Sequence, residues 1–168
     1  MTNVADDRCG LVLDWAAFHI AAGTISTSAL EDGRPDIVVG ILRGGMIPAV
    51  TIAHGCGVRT VRAVEVMRTL HDGVDAAKVA APVIRNPGSL GDLRGADVLV
   101  VDDVAGSGES LAVGRDLAMA AGATRVRTAV AVVNAVNWCR ANAEDPGDIL
   151  TYVGLVCRGW VEFPWERQ

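Results

Sequence analysis

An apolar run that ends in two adjacent carboxylates and a short Gly/Ser turn is the feature that most constrains this chain. The run is Val98–Val101, the carboxylates are Asp102 and Asp103, and the turn reads Gly-Ser-Gly-Glu-Ser before a helical stretch from about Leu111. A strand that leads through such a turn into a helix points unpaired N–H groups at an anion, and the helix dipole favours negative charge there. This order of residues predicts a phosphate site at the start of the helix.

The two aspartates predict a second kind of ligand group. A carboxylate repels a phosphate, whereas it suits hydroxyl groups or a Mg²⁺ ion that brings hydroxyls with it. A ligand with a phosphate at one end and a diol nearby is a sugar phosphate. A P-loop is excluded because no Gly-Lys-Ser/Thr is present. The plainer alternative is an ordinary βα turn with an acidic strand end.

Bulk properties limit the class of protein. The length of 168 residues fits one domain, and 51% hydrophobic residues with 19 glycines indicate an α/β protein with many tight turns. The formal net charge of −5 argues against a nucleic-acid or membrane-surface binder. No apolar run approaches the roughly 20 residues of a membrane span, and the polar, acidic start Met1–Cys9 does not suit a signal peptide. The four cysteines include no Cys-x-x-Cys pair, which favours free thiols. We therefore expect a cytoplasmic protein.

Strand-like and helical segments alternate along the chain. The expected strands span residues 36–42, 58–67, 96–101, 125–133 and 149–156. The expected helices span residues 14–30, 46–54, 111–121 and 136–143. This alternation predicts a mostly parallel sheet with right-handed crossovers, whose ligands bind beyond the carboxyl ends of the strands. Residues 69–91 have no steady period and are expected to form a long loop or a hairpin, and loops of this length tend to be functional lids.

A second anion-binding segment follows the first buried strand. Arg43, Gly44 and Gly45 come directly after the apolar run 36–42 and before the helix from Met46. Glycines at this point let backbone N–H groups approach an oxyanion, and Arg43 adds a charge-assisted contact. The alternative is a helix-start turn with a solvated arginine. Because this Arg-Gly-Gly loop and the aspartate pair both lie at strand carboxyl ends, we expect them to share one site.

Residues 97–111 resemble the 5-phosphoribosyl-1-pyrophosphate (PRPP) signature of the type I phosphoribosyltransferases, which has four apolar residues, two acidic residues and a turn rich in Gly, Ser and Thr. The resemblance implies a single α/β domain over residues 1–168. In that fold a mostly parallel five-stranded sheet is flanked by helices. A flexible lid is expected at about 68–91 and a small C-terminal hood at about 157–168.

The same resemblance implies roles for the residues of the signature and the loops around it. Asp102 and Asp103 are the implied catalytic residues, and they hold the ribose diol and Mg²⁺. The implied contacts to the 5′-phosphate come from Ala105, Gly106, Ser107, Gly108, Glu109 and Ser110.

The Arg-Gly-Gly loop is similar to the family's pyrophosphate loop, which commonly contains a strained or cis peptide bond. The lid of the family carries a basic residue towards the pyrophosphate. Arg68, Lys78 and Arg85 are the candidates in this chain, and each also suits a solvated surface position. Arg68 comes first because it directly follows the second strand.

The tail 157–166 resembles the base-binding hood of small archaeal and bacterial purine phosphoribosyltransferases, in which a Trp-x-x-Phe-Pro-Trp-Glu ending is common. The resemblance implies that Trp160 stacks on the nucleobase and that the Val161 backbone reads the edge of the base. It also implies that Glu166 reaches Mg²⁺ or pyrophosphate through water. The alternative is an aromatic plug that packs into the core, which we expect for the Phe-Pro-Trp part but not for Trp160.

Two positions depart from the pattern of the family's 6-oxopurine enzymes. Those enzymes have a third aspartate, proposed to handle the proton on purine N7, where this chain has Gly106, which can do no acid–base work. They also have a lysine that binds the oxygen at C6, where this chain has Asn134. An amide both donates and accepts, so Asn134 could hold an oxo or an amino group of the base, and it equally suits a strand-end turn. The loss of both groups predicts an acceptor outside ordinary hypoxanthine or guanine salvage.

Together these features predict an enzyme that uses Mg²⁺ to transfer the 5-phosphoribosyl group from PRPP to a nucleobase-like acceptor, a purine or purine analogue, with release of pyrophosphate. Two alternatives stay open. One is a regulatory PRPP-binding protein that has lost turnover, which Gly106 favours. The other is an ordinary salvage enzyme for xanthine, guanine or hypoxanthine. A homodimer is the expected assembly, and no nucleic-acid or membrane partner is expected.

Overall fold

The computed structural model describes residues 10–69 and 78–167. Its strands are β1 (Leu11–Val12), β2 (Ile37–Leu42), β3 (Thr60–Thr69), β4 (Lys78–Arg85), β5 (Asp97–Ala105), β6 (Arg125–Asn134), β7 (Tyr152–Cys157) and β8 (Val161–Glu162). Its α-helices are α1 (Trp15–Glu31), α2 (Met46–Gly55), α3 (Glu109–Ala120), α4 (Ala135–Ala141) and α5 (Pro146–Ile149), and a 3₁₀ helix spans Pro87–Leu90. Within these described ranges, no helix combines the length and the apolar character needed to cross a membrane.

Six strands form the main sheet in the order β4-β3-β2-β5-β6-β7. All neighbouring strands are parallel except β3 and β4, which pair antiparallel. The strand order reverses between β2 and β5, because the chain moves outward from β2 in one direction and from β5 in the other. The carboxyl ends of these two central strands therefore flank a crevice of the kind in which open α/β sheets bind ligands.

Two apolar layers cover the opposite faces of the sheet. On one face, α1 and α2 pack with a cluster that includes Val38 and Leu99. On the other face, α3 packs with a cluster that includes Val39 and Val100. Consecutive residues of a strand point to opposite faces, so the continuous apolar runs of β2 and β5 fill both layers.

All five predicted strands are present and parallel, and α1 begins as predicted. The Asp14 carboxylate caps this helix by accepting a hydrogen bond from the Ala17 N–H at 2.7 Å. One strand boundary was wrong: β5 runs to Ala105 instead of ending before the aspartate pair. The reason is that β6 continues alongside it and still pairs Val104 with Val132. The aspartates therefore lie inside a strand, just beyond the point where pairing with β2 stops.

The segment predicted as a lid contributes the sixth strand. β4 pairs antiparallel with β3, so the hairpin alternative is the one that forms. From the end of the 3₁₀ helix the chain returns to the sheet, and Leu90 and Leu93 are buried in the α3-side layer. Residues 70–77 lie outside the described residues, and the action of this segment as a lid stays a prediction.

The C-terminal hood is held by the first described strand. β8 pairs in parallel with β1 as a separate two-stranded sheet. The Leu11 N–H donates to the Trp160 carbonyl at 2.7 Å, and the Leu13 N–H donates to the Glu162 carbonyl at 2.9 Å. The position of the hood thus depends on residues from the opposite end of the chain.

An aromatic cluster anchors the end of the hood in the core. Phe163 is buried and stacks on Trp165 with 4.6 Å between ring centroids. Phe18 of α1 meets the Trp165 ring edge-on at 5.1 Å, and Trp15 lies 6.0 Å from the same ring. The aromatic anchor predicted for the Phe-Pro-Trp part is confirmed.

Candidate active site

The Arg-Gly-Gly loop and the aspartate pair meet in the crevice between β2 and β5. A Cβ added to Gly44 would overlap the Asp103 carboxylate, and one added to Gly45 would lie 2.8 Å from the Val101 carbonyl oxygen. Only residues without a side chain let the two segments approach this closely. The peptide bond between Leu42 and Arg43, just before these glycines, is cis. The structure therefore brings the two segments together, as their positions at strand ends predict.

The two carboxylates of the aspartate pair are close to each other and partly withdrawn from water. Asp102 Oδ1 accepts a hydrogen bond from the Asp103 N–H at 3.0 Å, and Asp103 Oδ1 accepts one from the Val104 N–H at 2.7 Å. Desolvation raises the pKa of both carboxyl groups, and the charge of Asp103 raises the pKa of Asp102 further. Ionisation of the pair is therefore unfavourable until a cation lies against it.

The donor set of the pair fits Mg²⁺. This ion prefers oxygen ligands, keeps several of its waters and is commonly bound by one or two carboxylates together with substrate phosphates. Asp102 and Asp103 supply such oxygens at the wall of a cavity. In the described part of the chain, no group of three or more His, Cys, Asp or Glu side chains could hold a metal ion. The site thus suits a cation that shares its coordination with a substrate.

The turn after β5 presents backbone N–H groups at the start of α3. The residue before this helix is Gly108, whose φ of 75° lies in the left-handed region that favours glycine. Gly108 has no side chain with which to cap the helix, and the N-terminus of a helix favours an anion. Two residues in and directly after α4 contact this turn. Asn142 Nδ2 donates to the Ser107 carbonyl at 3.2 Å, and the Trp138 ring packs against Gly108. The predicted phosphate turn therefore has a fixed backbone.

A cavity of about 300 Å³ joins the aspartate pair, the phosphate turn and the hood. Its volume is within the range of small-molecule sites. Trp160 lines the hood side and is 45% exposed, whereas the Arg-Gly-Gly loop lies behind Asp103 and outside the lining. The lining residues are Asp102, Asp103, Val104, Ala105, Gly106, Ser107, Gly108, Glu109, Ser110, Leu111, Asn134, Asn137, Trp160, Val161, Phe163 and Glu166. One cavity can thus hold a phosphate, a diol and a planar group together.

The chain matches known proteins along nearly its whole length. The family model of the phosphoribosyl transferase domain matches residues 10–166. A xanthine-guanine phosphoribosyltransferase of Ruegeria sp. (strain TM1040) is 31% identical over 94% of this chain and 85% of that protein. One of Gluconobacter oxydans (strain 621H) is 28% identical over 90% of this chain and 82% of that protein. The crystal structure of a purine phosphoribosyltransferase from Pyrococcus horikoshii Ot3 has a TM-score of 0.73 and 27% identity, with 95% of each chain covered.

The chain belongs to the phosphoribosyltransferase family. This membership confirms the predicted enzyme class, the α/β fold and the transfer of a phosphoribosyl group from PRPP to a base.

In this phosphoribosyltransferase, the hood turns Val161 and Glu166 towards the cavity. The hydrogen bonds to β1 are accepted by the carbonyls on either side of Val161, and polar groups alternate along a strand, so the Val161 backbone points away from β1. Glu166 Oε2 accepts a hydrogen bond from the Phe163 N–H at 2.9 Å. After burial, the charge of Glu166 is a further contribution that raises the pKa of Asp103. Contacts of both residues with a ligand stay predictions.

Both polar atoms of the Asn134 side chain form hydrogen bonds to other residues of the phosphoribosyltransferase. Its Nδ2 donates to the Gly159 carbonyl of the hood at 2.6 Å, and its Oδ1 accepts from the Asn137 N–H at 3.2 Å as the cap of α4. The residue is only 7% exposed. Asn134 therefore joins the hood to α4, in agreement with the strand-end alternative, and its role in base binding stays a prediction.

The basic candidates for the pyrophosphate lie in different settings. The Arg43 side chain is exposed beside the crevice. Arg85 forms an ion pair with Glu65 at 3.7 Å at the protein surface. Arg68 and Lys78 lie on β3 and β4, but their side chains are outside the described residues. The assignment of a pyrophosphate contact to Arg43, Gly44, Gly45 and Arg68 stays a prediction.

Sequence reasoning missed the cavity wall that α4 forms. This short helix follows β6 at the ligand edge of the sheet, and it presents Asn137 to the cavity and the Trp138 ring to the phosphate turn. The signal that could have found it is position, because a helix that directly follows the carboxyl end of a parallel strand begins at the ligand edge.

Proposed function

We propose that this phosphoribosyltransferase uses Mg²⁺ to join a purine base to C1′ of PRPP, which releases pyrophosphate and a 5′-mononucleotide. The cavity carries this proposal, because it lines up the aspartate pair, the phosphate turn and the exposed face of Trp160. The names of the relatives support a purine acceptor: two are xanthine-guanine enzymes and one is a purine enzyme.

The residues of the cavity act mainly by binding and orientation. Asp102 and Asp103 accept hydrogen bonds from the ribose diol and would hold Mg²⁺, which would supply positive charge to stabilise the departing pyrophosphate. The N–H groups of the turn from Ala105 to Ser110 bind the 5′-phosphate. Trp160 stacks on the base and fixes the plane in which the acceptor nitrogen faces C1′. Placing the acceptor nitrogen in line with the bond between C1′ and the departing pyrophosphate removes much of the entropic barrier to transfer.

The identity of the purine is tested by a panel of bases. Adenine, guanine, hypoxanthine, xanthine and two pyrimidines are incubated with PRPP and Mg²⁺, and pyrophosphate release is measured. We expect turnover with at least one purine and with neither pyrimidine. Poor turnover of all three 6-oxopurines would support the changed acceptor that Gly106 and Asn134 predict.

A matched variant separates the proposed function from a contaminating activity. The double variant Asp102→Asn and Asp103→Asn keeps the size of both side chains but removes their charge, so we expect a folded protein without turnover. PRPP binding by the wild-type protein without turnover of any base would overturn the proposal and favour the regulatory alternative.

We also propose a homodimer in the cytoplasm, from the family resemblance. Sedimentation velocity measures the mass of the assembly, and a monomer across micromolar concentrations would contradict the dimer.

A further inference from the structure

Asn137 is a polar side chain of the cavity that the predicted roles leave without a task. It lies in the first turn of α4, and its backbone N–H is fixed by the bond to Asn134 Oδ1 at 3.2 Å. Its side chain makes no hydrogen bond within the described residues and lines the cavity between the phosphate turn and the hood. The backbone N–H of Asn137 is thus used in the cap of α4, whereas its exposed side-chain amide lines the cavity and is left to bind a ligand.

The absence of a side chain at Gly106 leaves space for the side chain of Asn137. A Cβ added at Gly106 would lie 3.3 Å from Asn137 Cβ and 3.6 Å from Asn137 Nδ2. The backbone of Gly106 is not in the left-handed region, so the conformation itself does not require glycine. A side chain on the turn and the Asn137 side chain would compete for the same part of the cavity.

The location of Asn137 determines which edge of a bound base it meets. The 5′-phosphate belongs at the turn and the base belongs under Trp160. In a purine 5′-mononucleotide with the usual anti glycosidic bond, the imidazole edge of the base lies on the side of the 5′-phosphate. A group between the turn and the hood therefore faces N7, a hydrogen-bond acceptor in adenine and guanine alike.

We infer that Asn137 is a specificity-determining residue whose amide N–H donates a hydrogen bond to N7 of the bound purine. The inference rests on the proposed function, because it requires a purine in the cavity. An amide donates without exchanging a proton, so Asn137 selects for an N7 lone pair and leaves proton transfer to other groups or to solvent.

Calorimetric titration with two nucleotide pairs tests the contact. GMP is compared with 7-deaza-GMP, and AMP with 7-deaza-AMP, since each analogue replaces N7 by a C–H that cannot accept. We expect wild-type protein to bind the natural member of at least one pair roughly three- to tenfold more tightly than its analogue, the range that one neutral hydrogen bond gives.

Two variants of Asn137 and one control complete the test. In Asn137→Ala the ratio within the pair should fall to about one, and in Asn137→Asp, which keeps the size but cannot donate when ionised, it should fall to one or below. Arg140→Ala changes an exposed residue of the same helix outside the cavity and should leave the ratio unchanged. A purely structural effect of the variants would weaken both members of a pair equally and would keep the ratio.

The outcomes separate the inference from the proposed function. Equal affinity for a nucleotide and its 7-deaza analogue in the wild-type protein overturns the inference alone, as does an unchanged ratio in both Asn137 variants. Failure of every purine nucleotide to bind overturns the proposed function together with the inference.

Discussion

The burial of Asp102 and Asp103 disfavours the charged form of both carboxyl groups. Their pKa values are raised in the folded protein by desolvation, and that of Asp102 also by its neighbour's charge. A carboxyl group whose pKa is higher in the folded than in the unfolded protein favours folding most at a pH below its pKa in the unfolded protein. This contribution to stability is lost as the pH rises through its pKa in the folded protein. At neutral pH, with no cation bound, burial of the pair therefore lowers the free energy of unfolding.

Asp102→Asn should accordingly raise the melting temperature of the metal-free protein at pH 7 by a few degrees, since about 1 kcal/mol corresponds to roughly 2–4 °C for a chain of this size. The amide oxygen can still accept the Asp103 N–H, so the local backbone is kept. Differential scanning calorimetry measures the shift. Asp148→Asn changes an exposed carboxylate outside the cavity, and as the control it should leave the melting temperature unchanged. A lower melting temperature for Asp102→Asn would show that the charges support the fold.

Trp160 and Trp165 should respond differently to truncation because one ring is exposed to the cavity and the other packs in the aromatic cluster. Trp160→Ala should weaken binding of the acceptor base by about 1–3 kcal/mol, the range for a base stacked on an aromatic ring, with little change in PRPP affinity. Trp165→Ala should instead lower thermal stability. Paired measurements of base affinity and melting temperature separate the two roles, and a loss of stability alone in Trp160→Ala would favour a core plug.

Among the elements, the pairing of β1 with β8 fixes the hood over the cavity. A Cβ added to Gly10, the residue before β1, would overlap the Trp160 carbonyl. Gly10→Ala should therefore displace Trp160 and raise the KM for the base several-fold while the KM for PRPP stays near its wild-type value. Gly23→Ala is the matched control: nothing lies within 4 Å of the added methyl, and alanine in the interior of α1 should stabilise the protein by about 0.5–1 kcal/mol. Equal kinetics in both variants would contradict this role of the pairing.

The elements that sequence could predict are those whose signal lies within one segment. The apolar runs of β2 and β5, the Asp14 cap of α1 and the phosphate turn each contain their own pattern, and all are present. β4 was harder to predict for two reasons. It forms a strand by pairing with β3, a separate segment of the chain, and Pro82 interrupts its own run of strand-forming residues. β8 is only two residues long, and it forms a strand because β1 supplies the partner.

The candidate site follows the same rule. Asp102, Asp103 and the turn after them are contiguous in sequence, and they line one cavity. Two close approaches join segments that are distant in sequence: Gly44 with Asp103, and Gly106 with Asn137. No local sequence pattern predicts them. Asn134 is intermediate: its type fits both a cap and a base contact, and only the packed neighbours reveal that its polar atoms bind Gly159 and α4.

At the scale of the whole molecule, a buried arginine joins several segments at the end of the sheet opposite the cavity. The Arg127 guanidinium, with 3% of the side chain exposed, forms an ion pair with Asp97 at 2.9 Å. It also donates to the carbonyls of Ala29 and Gly33 at 3.0 and 2.8 Å and to the Tyr152 hydroxyl at 2.9 Å. One side chain thus joins the end of α1, the loop after it and the starts of three strands.

Arg127→Met should lower the free energy of unfolding by about 3–5 kcal/mol, because it leaves Asp97 and two carbonyls without their buried donor. Arg125→Met is the control, since its ion pair with the same aspartate is half exposed and should contribute at most about 1 kcal/mol. Urea unfolding of both variants measures the difference. Similar losses in the two variants would mean that the buried network adds little beyond a surface ion pair.

The pairing of the first described strand with the last also sets an order of events during synthesis. β1 leaves the ribosome early and must wait for β8, whereas β2, β5 and the phosphate turn emerge between them. Long-range pairings close late, and chains begin to fold while they are being made. Protease digestion of nascent chains stalled at increasing lengths should therefore find the region of the phosphate turn protected before the hood, and protection of both at the same length would contradict this order. The hood side of the cavity, which we propose to bind the base, is then the last part of the molecule to be completed.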